Sequence, residues 1–204
     1  MAGLREKKAK RTKARILEVT AELVTERGFA DTSLEAIASQ AEVAVGTVYN
    51  YFGSKGNLLV ELMNHEITPL LEEADELVQS PGEDPVLAIK RMARLWSTMF
   101  DKFDKERWRE MFSIVFSKER KLTDAMFRLD MEAVMQIQAL FEGFARRGQV
   151  RADLDAGEAA MMIYGLLILQ AIMWSVEDDL TTEDLRSGMD RQIDMVFRGL
   201  EVKK

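Results

Sequence analysis

Residues 45–55, VGTVYNYFGSK, set a threonine, an asparagine and two tyrosines between two glycines and close on a lysine. At helical spacing Val48 and Phe52 lie four apart and mark an inner face, which leaves Val45, Gly46, Thr47, Tyr49 and Asn50 pointing outward. That outer set carries no charge, which is unusual for a face made only to be solvated. Its chemistry suits a nucleic-acid duplex. Valine and the threonine methyl can touch a thymine methyl, Asn50 can pair with a base edge, and the hydroxyls of Tyr49 and Tyr51 and the Lys55 ammonium suit phosphate oxygens.

Such a surface must be held by helices, and the flanking sequence supplies them. Ile16, Leu17, Leu23 and Val24 share one face of a first helix over roughly residues 9–27, with Gly28 placed to end it in the left-handed conformation. Leu34, Ile37, Ala38 and Ala41 follow the i, i+3, i+4, i+7 pattern of a short second helix. Ser33 is its N-cap, and Glu35 sits in the first turn near the positive end of the helix dipole. Val45–Phe52 is a third short helix. Two short helices joined by about four residues, behind a longer one, have the layout of a helix-turn-helix spanning about 33–52.

The stretch TSLEAIASQAEVAVGTVYNYFGSKGNLLVELM resembles the DNA-binding domain of the tetracycline-repressor (TetR) family of bacterial regulators. The shared features are T-S before helix two, I-A-x-x-A within it, V-x-x-G-T-V-Y-x-Y-F through the turn and third helix, and S-K-x-x-L-L after it, over residues 10–65. The resemblance implies that Thr47 and Tyr49 contact DNA, that Tyr51 and Lys55 hold phosphates, and that Ser33 anchors the start of helix two. Two positions depart from the pattern. Glu42 stands where the turn usually has glycine, and a left-handed glutamate costs about 1 kcal/mol. Glu35 stands where some members carry a basic or neutral residue toward DNA, which argues against base contact from helix two.

Charge is unevenly spread. The chain carries −7, yet residues 1–17 hold seven basic residues against Glu6, a local +6 that leaves −13 on the remainder. A basic arm (1–9) on an acidic body points to one end approaching an anion. The absence of cysteine excludes disulfides and thiolate metal sites and fits a reducing cytoplasm. The basic N-terminus lacks a following apolar signal region, so export is not expected. The apolar run at 159–174 is short for a membrane span, contains Gln170 and is flanked by acids, so it reads as a buried helix.

Beyond residue 55 the pattern stays helical, giving an all-α chain of about nine helices: a DNA-binding domain at 10–55, then a larger domain at 56–204. Ser54 caps a long fourth helix that Pro69 is expected to kink or break. Asp84 and Pro85 start a fifth, and others follow near 105–117, 120–147, 156–177 and 182–200. All twelve internal methionines lie at or beyond Met63 and all three tryptophans at or beyond Trp96, so the second domain has a soft, adaptable interior. Met92, Trp96, Met99, Phe100, Trp108, Met111, Phe112, Val115, Met126, Met135, Met162, Leu166 and Met173 are candidates to line a cavity for an apolar or aromatic ligand. The same residues at helical spacing are more often plain core. Ala160, Gly165, Leu167, Ala171, Trp174, Met189, Ile193, Val196 and Phe197 are candidates for a four-helix interface with a second copy. His65 is the only histidine, so a metal site is not expected, and no base, nucleophile or metal cluster points to an enzyme. No cofactor is expected. The expectation is a cytoplasmic homodimeric repressor released from an operator by a small hydrophobic effector. The competing reading is a TetR-like nucleoid-associated or division-linked DNA binder without an effector.

Overall fold

The computed structural model describes residues 2–115 and 120–199, and every regular element among them is helical. In order these are α1 (Ala2–Arg27), α2 (Leu34–Gln40), α3 (Val45–Phe52), α4 (Lys55–Gln79), α5 (Pro85–Ser97) with a 3-10 turn at Thr98–Asp101, α6 (Lys105–Val115), α7 (Arg120–Arg146), α8 (Ala156–Val176) and α9 (Thr182–Arg198). The chain divides into two compact units. The first comprises residues 1–67 and 110–126, the second residues 68–109 and 127–204. The divisions fall inside α4, α6 and α7.

In the first unit α2 packs on α1 and α3 on α2. Ile16, Val19, Leu23, Ile37, Ala38, Val48, Leu58 and Leu62 are almost wholly withdrawn from water. The basic stretch expected as an arm is helical from Ala2 onward, as its alanine, lysine and arginine content favours. Gly28, at φ 85, ends α1 and donates its N–H to Val24 at 2.9 Å. The Ser33 hydroxyl caps α2 by accepting from the Ala36 N–H at 3.1 Å.

The turn after α2 ends in a full Schellman pattern. Val43 N–H reaches the Ala38 carbonyl at 2.9 Å and Glu42 N–H the Ser39 carbonyl at 3.2 Å. Glu42 has φ 56 and is the one non-glycine residue at positive φ among the described residues. The glutamate therefore keeps the turn's left-handed hydrogen bonding and carries the cost as backbone strain. Replacing Glu42 by glycine is expected to raise stability by up to about 1 kcal/mol, read as a higher denaturation midpoint with no change in fold.

In the second unit α9 packs against both α5 and α8. Lys90–Asp194 (2.7 Å), Arg94–Asp190 (2.6 Å) and Arg186–Asp101 form ion pairs along the α5–α9 side. Gly188 lets α9 come close to α8, because a Cβ there would stand 2.5 Å from the Gln170 Nε2. Asp84 caps α5 through the Val86 and Leu87 amides. Thr181 and Asp184 cap α9 reciprocally. The fourth helix runs through Pro69 as one continuous helix, so the expected break does not occur. A single proline removes one hydrogen bond, and the buried Leu59, Leu62, Met63 and Ala74 hold the helix on either side.

Candidate nucleic-acid interface and effector region

Helix α3 turns its two large apolar residues inward, with Val48 fully buried and Phe52 5 % exposed. Tyr49, at 51 %, and Tyr51, at 37 %, stand in solvent. Gly46 and Asn50 are exposed, Val45 and Thr47 are half-buried, and Ser33 is exposed at the head of α2. The outward set read from the sequence is thus accessible on one helix and its neighbouring cap. The exposed edge of α3 carries no charged side chain.

Lys55 is placed differently from a free phosphate ligand. Its Nζ donates to the Ala30 carbonyl at 2.8 Å and lies 4.6 Å from the centre of the Phe29 ring. Lys13 likewise lies on the protein, paired with Glu61 at 2.6 Å and 5.8 Å from the Phe52 ring. Before any duplex arrives, both ammonium groups are engaged within the first unit.

The candidate cavity residues separate into groups. Met92, Met99 and Trp108 are buried in the second unit, with Trp96, Phe100 and Leu166 half-buried there. Met111 is buried and Phe112 and Met126 are half-buried in the first unit. The Val115 side chain lies outside the described residues. Met162 and Met173 are corrections: at 50 and 51 % exposure they face out of the chain, whereas Met135, also exposed, lines an open groove with Leu71, Asp75, Val78, Glu132 and Gln136. Phe100 packs on Trp108 with centroids 4.4 Å apart and meets Trp174 edge-on at 5.3 Å. The Trp96 indole N–H points to the Met92 sulfur at 3.1 Å.

The candidate interface residues need a larger correction. Ala160, Leu167, Ala171, Trp174, Met189 and Ile193 are buried within the chain itself and cannot meet a second copy. Only Gly165, exposed with open space above it, and the half-buried Val196 and Phe197 remain accessible. The outer face of α8 carries Met161, Met162, Leu169, Ile172, Met173 and Val176 instead, with Met195 exposed on α9. Because α8 is apolar on all sides, spacing alone could not distinguish its inner from its outer face.

Sequence reading also missed a polar pair inside the second unit. The Tyr164 hydroxyl on α8 donates to Asp130 Oδ1 on α7 at 2.5 Å. Burial holds the Asp130 carboxyl above the usual carboxylate range, against the lowering effect of the tyrosine bond, and burial followed by the Asp130 charge pushes the Tyr164 hydroxyl up. Neither residue lies in a motif, so the only signal was their polarity within apolar helix faces. A carboxyl whose pKa is raised by folding loses stability as pH climbs from its unfolded value through its folded one. Asp130→Asn keeps an acceptor for Tyr164 without the buried charge. It is expected to unfold at or above the wild-type temperature at neutral pH, with the difference vanishing below about pH 4.

Residues 16–62 match the model of the bacterial regulatory proteins, tetR family. That segment is a tetR-family DNA-binding domain, and α2 and α3 are its helix-turn-helix. The fatty acid metabolism regulator protein of Bacillus subtilis is 23 % identical, over 96 % of this chain and 100 % of that one. The HTH-type transcriptional regulator TtgR of Pseudomonas putida is 25 % identical, over 91 % of this chain and 90 % of that one. The solved structure of FadR from Thermus thermophilus, a repressor in complex with lauroyl-CoA, shares the fold. Its TM-score is 0.74 at 23 % identity, over 94 % of this chain and 96 % of that one.

Proposed function

We propose that this tetR-family regulator is a homodimeric repressor that leaves its operator when a small apolar molecule occupies the second unit. The observation that carries the DNA half of the reading is the accessible, uncharged face of α3, on which Thr47, Tyr49 and Asn50 are offered for base and backbone contact. Ser33, Val45, Gly46, Tyr51 and Lys55 complete the proposed DNA surface. For Lys55 this means exchanging the Ala30 carbonyl for a phosphate oxygen.

The dimer half rests on the exposed stripe Met161, Met162, Leu169, Ile172, Met173 and Val176 on α8, joined by Met195 on α9. A stripe of that length is a surface that folded chains cover rather than leave in water. Two copies related by a twofold axis would pair α8 and α9 into a four-helix interface and set two recognition helices at a fixed spacing.

The effector half rests on the sulfur-rich and aromatic interior of the second unit. Trp96 meets Met92 there, Phe100 packs on Trp108 and Trp174, Met99 is buried, and the Trp174 indole N–H is buried with no acceptor among the described residues. Fatty acyl thioesters are the first class to test, since the Thermus relative was solved with lauroyl-CoA. An effector can shift the protein off DNA only by binding the released form more tightly than the DNA-bound one.

The test is fluorescence anisotropy of the purified protein on the duplex upstream of its own gene, with and without lauroyl-CoA, free laurate and planar aromatic compounds. Loss of operator binding with one class supports the reading. Unchanged affinity with every class removes the effector half, and a genome-wide map showing hundreds of dispersed sites would favour the nucleoid-associated alternative.

A further inference from the structure

Several backbone groups of the connection from α1 to α2 have partners within the first unit. Gly28 N–H goes to Val24, the Gly28 carbonyl accepts from the Thr32 hydroxyl at 2.6 Å, and the Phe29 carbonyl from the Thr32 N–H at 3.3 Å. The Ala30 carbonyl accepts from Lys55. The N–H groups of Phe29 and Ala30 donate to a single carboxylate far away in sequence: Glu110, at 3.2 Å to Oε2 and 3.3 Å to Oε1. Loop amides are ordinarily satisfied by local turns or by water. Here both are satisfied by one side chain on α6, outside the residues 16–62 that match the family model.

We propose that Glu110 is a positioning residue for DNA reading. Its carboxylate fixes the loop that delivers Ser33 to the head of α2, and it keeps that hold when Lys55 exchanges the Ala30 carbonyl for a phosphate. The Glu110 contact sets the entry of α2, and through the α2–α3 packing it sets the presentation of Thr47, Tyr49 and Asn50. A carboxylate is the suitable group, because two parallel N–H donors need two acceptors and charge-assisted bonds of this kind are the stronger ones. Glutamine has nearly the same length but offers one acceptor, and its NH2 would face a backbone N–H.

The proposal rests on the DNA-binding reading, and the experiment separates the two. Promoter-DNA affinity and thermal midpoint are measured for wild type, Glu110→Gln and, as a control one turn earlier on the same helix, Glu106→Gln. Amide exchange at Phe29 and Ala30 is followed by NMR in all three. Glu110→Gln is expected to weaken DNA binding about tenfold with little change in midpoint, and to speed exchange at those two amides selectively. Glu106→Gln is expected to match wild type. Equal affinity for wild type and Glu110→Gln overturns the proposal, as does free-loop exchange of the two amides in the wild-type protein. If the wild-type protein fails to bind promoter DNA, the DNA-binding reading falls and takes this proposal with it.

Discussion

Replacing Tyr49 by alanine is expected to abolish high-affinity operator binding while leaving the fold intact. The side chain stands 51 % exposed on α3, pointing away from the buried Val48 and Phe52, so its removal opens no cavity. Surface substitutions of that kind stay within about half a kcal/mol in stability. A lost groove contact costs about 1–3 kcal/mol. A symmetric dimer loses it twice, which puts the expected fall in affinity at thirtyfold or more. Val48→Ala is the informative contrast. It empties a fully buried position and is expected to lower the unfolding midpoint first, with DNA binding failing only as the domain melts. Anisotropy titrations and thermal melts on the same two variants separate the outcomes. A Tyr49→Ala protein with wild-type affinity would remove α3 as the reading surface.

Leu169→Glu is expected to turn the proposed dimer into a monomer. Leu169 is 52 % exposed near the middle of the apolar face of α8, so a carboxylate is tolerated while that face is wet. Across a twofold interface the same carboxylate would be desolvated near its own symmetry copy, at a cost of several kcal/mol. Sedimentation velocity should show wild type at twice the chain mass and Leu169→Glu at the chain mass, with unchanged helicity. Operator affinity should fall in step, because each recognition helix would then bind alone. A wild-type protein that sediments as a monomer would refute the interface outright.

Much of the first unit was legible because its residues signal locally. A serine before an apolar run, a glycine ending a helix, and Val48 and Phe52 four apart each report on their own few neighbours. Even the left-handed Glu42 could be anticipated, since the turn's hydrogen bonding demands that conformation whichever residue occupies it. The second unit was legible as helices but not as faces. Helix α8 has no polar side to orient it, so its spacing points Ala160, Ala171 and Trp174 outward and Met162 and Met173 inward, the reverse of what the structure shows. The engagement of Lys55 with Ala30, the Glu110 contact and the Tyr164–Asp130 bond were invisible for a different reason. Each joins residues distant in sequence through groups that any solvated helix surface also carries.

The uniform apolarity of α8 leaves its rotational setting to a handful of heteroatoms. Turned about its own axis, the helix would offer its neighbours another greasy side of similar quality, so hydrophobic burial alone barely discriminates among orientations. What discriminates is that Tyr164 must meet Asp130 and that Gln170 must accept from the Gln192 amide, at 3.0 Å, over the gap left by Gly188. A mis-rotated helix would strand those polar atoms in hydrocarbon, at a penalty of about 1–3 kcal/mol each. These hydrogen bonds act as keys: they add little to the depth of the folded minimum and much to its uniqueness.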